Sequence, residues 1–174
     1  MAPTREAWAA AFAHQAQSDW TVYERLAGDL HTPRCHSLHY LQMACEKIAK
    51  AYRCRDTTAA LDSLMSRHSG FRKLIEVLLK SPFVKRSYRG HEAQREQIAR
   101  DARKLAALVE TLAPALGREQ SPDNAEYPWA VGDAVVTPCT YGFPNLSMLK
   151  DPGGRTFLKL VSRAIRDFDK IETY

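Results

Sequence analysis

The stretch from Thr32 to Tyr52, TPRCHSLHYLQMACEKIAKAY, decides the fold. Thr32 followed by Pro33 reads as an N-cap and a first helical residue: a threonine hydroxyl accepts an orphan amide, and proline has no amide to leave unsatisfied. Leu38, Leu41, Cys45, Ile48 and Tyr52 then recur at alternating steps of three and four, which puts them on one face of a helix. Behind that stripe stand Gln42, Glu46, Lys47 and Lys50. Glu46 and Lys50, four apart, can also form an ordinary helix-surface ion pair.

Working outward, the flanking sequence supplies further helices. One is expected from about Thr4 to Ala27, with Trp8, Phe12, Ala16, Tyr23 and Leu26 towards one side and Gly28-Asp29 as its stop. A cap at Asp56 or Thr57 opens a third, carrying Leu61, Leu64, Met65, Leu74, Ile75 and Leu78 as far as Ser81-Pro82, with Ser69-Gly70 as an interruption. A fourth runs from His91 to Leu112 on Ile98, Ala102, Leu105, Val109 and Leu112. The last follows Asp151-Pro152-Gly153-Gly154 and uses Phe157, Val161, Ala164, Phe168 and Ile171. The expected fold is an all-α, up-and-down bundle of four to five helices, in one domain over residues 1–174.

Between Pro114 and Gly154 the prolines 114, 122, 128, 138, 144 and 152 exclude an amphipathic helix. Val135-Val136-Thr137 reads as a short extended piece. Tyr127, Trp129, Tyr141 and Phe143 would be costly to leave in water, so this segment is expected to lie across the bundle as an ordered strap.

Of the 174 residues 45% are hydrophobic and 26% charged, an ordinary globular composition. No apolar run is long enough to span a bilayer, and the polar interruptions of the N-terminal alanine-rich stretch do not suit an export signal. A cytoplasmic location is the expectation. Cys35, Cys45, Cys54 and Cys139 are scattered without a Cys-x-x-Cys pair, so neither a disulfide framework nor a zinc knuckle is expected. His31, His36 and His39 cluster near the start of the second helix, yet no carboxylate or second cysteine nearby completes a metal set, and no metal or other cofactor is assigned. The formal charge is +5, and between Lys80 and Lys104 eight basic residues face three acidic ones. That segment is the candidate footprint for an acidic partner, against the simpler reading of a solvated helix face.

The string from Gln42 to Ala51, QMACEKIAKA, resembles the second helix of HEPN domains, all-α proteins found with nucleotidyltransferases, in toxin–antitoxin pairs and in RNA-cleaving defence systems. Glu126-Tyr127-Pro128-Trp129 is similar to the Tyr-Pro signature that often precedes the late helix in that superfamily. The resemblance implies a homodimeric module that binds RNA, a nucleotide, or an antitoxin or nucleotidyltransferase partner, through Glu46, Lys47, Lys50, Arg89, Arg95, Tyr127 and Trp129, with Lys80–Lys104 and the strap shaping the site. Ribonucleases of the superfamily use an arginine and a histidine four to six residues apart, without metal. Histidine suits the proton transfers near neutral pH, and a fixed cation meets the charge on the phosphorane. Arg86 with His91 is the first such pair, and Arg34 with His39 the second. The leading expectation is a binding module. A metal-independent endoribonuclease of toxin or defence type is the alternative, and a structural protein-interaction subunit a further one.

Overall fold

The computed structural model describes residues 2–58, 60–61, 68–114 and 123–171, without the side chains of Phe83 and Ser87. Helix α1 spans Arg5–Ala27, and Thr4 caps it by accepting the amide of Ala7 at 3.2 Å. Helix α2, Arg34–Cys54, runs back along it. Arg5 at the start of α1 donates to the carbonyl of Asp56 just beyond the end of α2, and Lys47 meets Asp19 midway, so the pair is antiparallel.

The stripe of α2 is the centre of the core: none of Leu38, Leu41, Cys45, Ile48 and Tyr52 is more than 2% exposed. Ala44, Ala49 and Ala51 are buried as well, because the remaining helices close around α2 on other sides. The start of this helix departs from the sequence expectation. Pro33 occupies the cap position with no side-chain hydrogen bond, and the Thr32 hydroxyl donates instead to Asp29 Oδ2 at 2.6 Å. The carboxylate three residues upstream is a stronger acceptor than the alternatives open to a hydroxyl, so Thr32 fastens the α1–α2 loop.

Asp56 accepts both the amide and the hydroxyl of Thr58, a local turn that ends the α2 region. Of the stripe expected for the third helix, Leu64 and Met65 lie outside the described residues, and Leu61 packs partly buried against the core. Helix α3 is Phe71–Lys80. Gly70 precedes it at φ 150°, a conformation side chains rarely adopt, which is why the helical pattern breaks there. Ser81 caps a short helix α4, Pro82–Ser87, by accepting the amide of Val84, where the sequence suggested only a stop. Helix α5, Glu92–Glu110, buries Ala102, Leu105 and Val109.

Of the strap beyond Pro114, the described part begins at residue 123. Asn124 is buried, and its side chain accepts the amides of Glu126 and Tyr127 at 2.9 and 2.7 Å. Strands β1, Trp129–Val131, and β2, Ala134–Val136, form an antiparallel hairpin pairing Trp129 with Val136 around Gly132-Asp133. The expected extended piece is thus one arm of a hairpin. A 3-10 helix, Pro144–Lys150, then buries Leu146 and Leu149.

Helix α6, Pro152–Arg166, starts earlier than the two glycines suggested. A Cβ at Gly154 would lie 2.1 Å from the Met148 carbonyl oxygen, so glycine here permits close approach to the 3-10 helix rather than marking a turn. The helix also ends sooner than expected: Phe168 sits in a further 3-10 turn, Phe168–Lys170, stacked edge-on against Tyr52. The fold is an all-α bundle, and among the described residues no helix is long and apolar enough to cross a membrane.

Candidate functional site

Helices α3 and α5 pack side by side, and Arg103 and Glu76 join them through a two-pronged ion pair, with Nε to Oε1 at 2.7 Å and Nη2 to Oε2 at 3.2 Å. Arg103's hydrogen bond holds the Glu76 carboxyl below the usual carboxylate range, and raises the guanidinium's own pKa in return. On one side of this pair lies a cavity of roughly 440 Å³, with Arg53, Arg72, Lys73 and Arg103 around it. On the other, a groove of roughly 300 Å³ carries Lys80, Lys85, Arg95 and Arg100 along with Arg103.

The two depressions share Arg103 and together present eight cations against Glu76, Glu96 and Glu110. Two of those three acids are already engaged. Glu76 is paired with Arg103, and Glu110 accepts the amides of Gly70 and Phe71 at the start of α3. The surface therefore carries an excess of positive charge over a concave strip, an arrangement that concentrates anions. Among the described residues, none of the strap lines either depression.

The residues nominated from the sequence separate into groups. Glu46, Lys47 and Lys50 are half-buried and engaged within the molecule: Lys47 Nζ lies 2.5 Å from Asp19 Oδ2, Lys50 Nζ 2.9 Å from Glu46 Oε1, and Gln42 donates to Glu46 Oε2 at 2.9 Å. His68 Nδ1 approaches Glu46 at 3.2 Å, and Lys50 lies over the Phe12 ring. These charges hold α1, α2 and the chain before α3 together.

Arg34 and His39 both serve the strap. Arg34 donates to the carbonyls of Gly142, Phe143 and Leu146, the shortest at 2.7 Å, while His39 Nδ1 lies 3.3 Å from Glu126 Oε1 and pairs with it when protonated. The two side chains engage different parts of the strap rather than one shared cleft. Arg86 and His91 are exposed on either side of the turn through Gly90, at the end of α4 and the start of α5. Arg89 is exposed in that turn, and Arg95 lines the groove. Tyr127 is exposed, whereas Trp129 meets Tyr141 edge-on, and Tyr141 meets Phe143 in the same way, anchoring the hairpin on the strap.

Three cations of the cavity, Arg53, Arg72 and Lys73, were not singled out from the sequence. The Arg72-Lys73 pair just after Gly70 is the signal that points to them. A second arrangement also escaped the sequence reading. Cys35, His36 and Cys139 each offer a ligand atom within 4.8 Å of the others, although 103 residues separate His36 from Cys139. No protein-family model, curated protein or solved structure matches the chain.

Proposed function

We propose that the protein is an HEPN-like helical module that binds RNA along the basic strip between α3 and α5. The observation that carries this reading is the run of eight cations around two linked depressions, with two of their three carboxylates already paired inside the molecule. A phosphodiester backbone suits such a strip: it offers repeated anionic charge at short intervals, and releases counterions as each phosphate is neutralised. The Glu-Lys signature on α2 contributes framework to this module, and Arg53, further along the same helix, contributes to the surface.

Fluorescence anisotropy with a labelled single-stranded RNA across a salt series tests the proposal. With about four phosphates neutralised, log K falls against log salt with a slope of about −3. Replacing Arg95 and Arg100 by glutamate is expected to abolish the measurable complex while circular dichroism retains the helical spectrum. Salt-independent binding, or equal binding by the double variant, would overturn the reading.

The endoribonuclease alternative rests on Arg86 and His91, which are exposed and adjoin the groove residues Lys85 and Arg95 in the chain. Arg34 is a poor candidate for the phosphorane cation, since its guanidinium is committed to strap carbonyls. Cleavage of a labelled RNA in the presence of EDTA, abolished by His91→Ala, would favour the enzyme over the binder.

A further inference from the structure

The strap presents Cys139 by a specific turn. Thr140 donates its amide to the Thr137 carbonyl at 3.2 Å, and the two hydroxyls hydrogen-bond at 2.9 Å. Pro138, buried, takes the first central position of this turn, where its fixed φ is favourable, and Cys139 takes the second. Opposite stands the first turn of α2. There Cys35 is buried at 1% exposure, and its sulfur lies 3.9 Å from that of Cys139. His36 follows on the same turn, exposed, with a ring nitrogen inside the same cluster.

We propose that Cys35, His36 and Cys139 bind a zinc ion that fastens the strap to the start of α2. The spacing suits it: sulfurs at adjacent vertices of a tetrahedron around zinc, each at about 2.3 Å from the metal, lie about 3.8 Å apart. A disulfide would instead require them to close to about 2.05 Å. The donor set selects the ion class, because two thiolates and an imidazole suit a soft or borderline cation and leave calcium and magnesium poorly served.

Charge supports zinc further. On coordination each thiol gives its proton to water, and two thiolates with a neutral imidazole balance the dication, so a half-buried site holds no net charge. His36 and Cys139 face solvent, which leaves the fourth vertex to a water molecule. Arg34 already grips the strap beside the site, which holds Cys139 near its partners before the ion arrives. This inference is independent of RNA binding at the α3–α5 surface.

The test uses the full chain, kept reduced with a phosphine and titrated with zinc against a chromophoric chelator, then with cobalt(II) as a spectroscopic substitute. The wild type is expected to take one zinc per chain and to show thiolate-to-cobalt charge transfer. Cys139→Ser and His36→Ala alter exposed residues, keep the helical circular dichroism, and are expected to lose the tight zinc and, for Cys139→Ser, much of the charge-transfer band. Undiminished zinc binding in Cys139→Ser, or a cobalt spectrum without sulfur charge transfer, would overturn the proposal. So would isolation of a Cys35–Cys139 disulfide whose reduced form takes no zinc, which would make the pair a redox staple.

Discussion

Glu110, in the last turn of α5, accepts the amide of Gly70 at 2.5 Å and so caps a helix that lies far from it in sequence. Its carboxylate also accepts the amide of Phe71 at 3.2 Å and sits against the positive end of α3. Glu110→Ala should lower stability by about 1–2 kcal/mol, in the range of a lost helix cap. Glu110→Gln, which keeps an acceptor, should lose less. Urea denaturation of the three proteins provides the comparison, and an equal loss in both variants would show that charge rather than capping dominates.

Lys47 and Asp19 present a different kind of bond. Asp19 is 5% exposed, with Gln15 donating to its other oxygen, so Lys47→Met strands a buried carboxylate. A loss of about 3 kcal/mol is expected. The double variant Asp19→Leu with Lys47→Met should recover most of it, since an apolar pair removes the desolvation of both charges. A double variant as unstable as the single one would show that the pair contributes specific packing instead.

Tyr52 donates its hydroxyl to the Ala164 carbonyl at 2.9 Å in the core. Ala164 lies in the last turn of α6, where carbonyls have no partner within the helix. Tyr52→Phe should therefore cost about 1–2 kcal/mol by leaving a buried acceptor unsatisfied. Hydrogen exchange should show the effect concentrated in the amides of α6 and the following 3-10 turn.

Buried thiols and phenols set an alkaline limit. Burial pushes the Cys45 thiol well above its ordinary 9.0 and Tyr23 from 10.0 to about 12. Above about pH 9 the unfolded chain releases protons that the native state retains, so stability is complete below that value and falls as pH rises. Melting temperature measured from about pH 8 to about 10.5 should decline, and Cys45→Ala should flatten the first part of the decline. A flat profile in the wild type would contradict the burial-driven shifts.

Arg34→Lys should loosen the strap without unfolding the bundle, because an ammonium lacks the planar fork that reaches the carbonyls of Gly142, Phe143 and Leu146 together. Faster amide exchange across residues 138–149, with α1 and α2 still protected, is the expected outcome. Global loss of protection would mean instead that the strap and core melt as one.

Legibility followed the range of the interactions involved. The stripe from Leu38 to Tyr52 could be read because its period is a property of one helix, and all five residues are buried. Thr32, Gly153 and Gly154 were misread for a shared reason: local propensity supplies an interpretation, and a nearby partner overrides it. Asp29 took the threonine hydroxyl, the Asp101 side chain lies against Gly153, and the backbone of the 3-10 helix presses so closely on Gly154 that only glycine fits there. Arg34 illustrates the limit for sites. Its spacing from His39 suggested chemistry, yet its partners lie 108 to 112 residues onward and no local pattern announces them. The basic segment from Lys80 was visible as composition, but its continuation through Arg53, Arg72 and Lys73 depends on how three helices meet.

Helix α2 keeps apart two things that the sequence placed together. Arg34, Cys35 and His39, which face the strap, occupy its beginning, and Arg53, which faces the basic cavity, lies 19 residues further along the same rod, about 28 Å away at 1.5 Å per residue. Such a rod transmits little bending from one end to the other. A dye or crosslinker placed on the hairpin could therefore serve as a handle or reporter while the distant surface engages its ligand undisturbed, and the two ends could diverge in evolution as separately tunable parts.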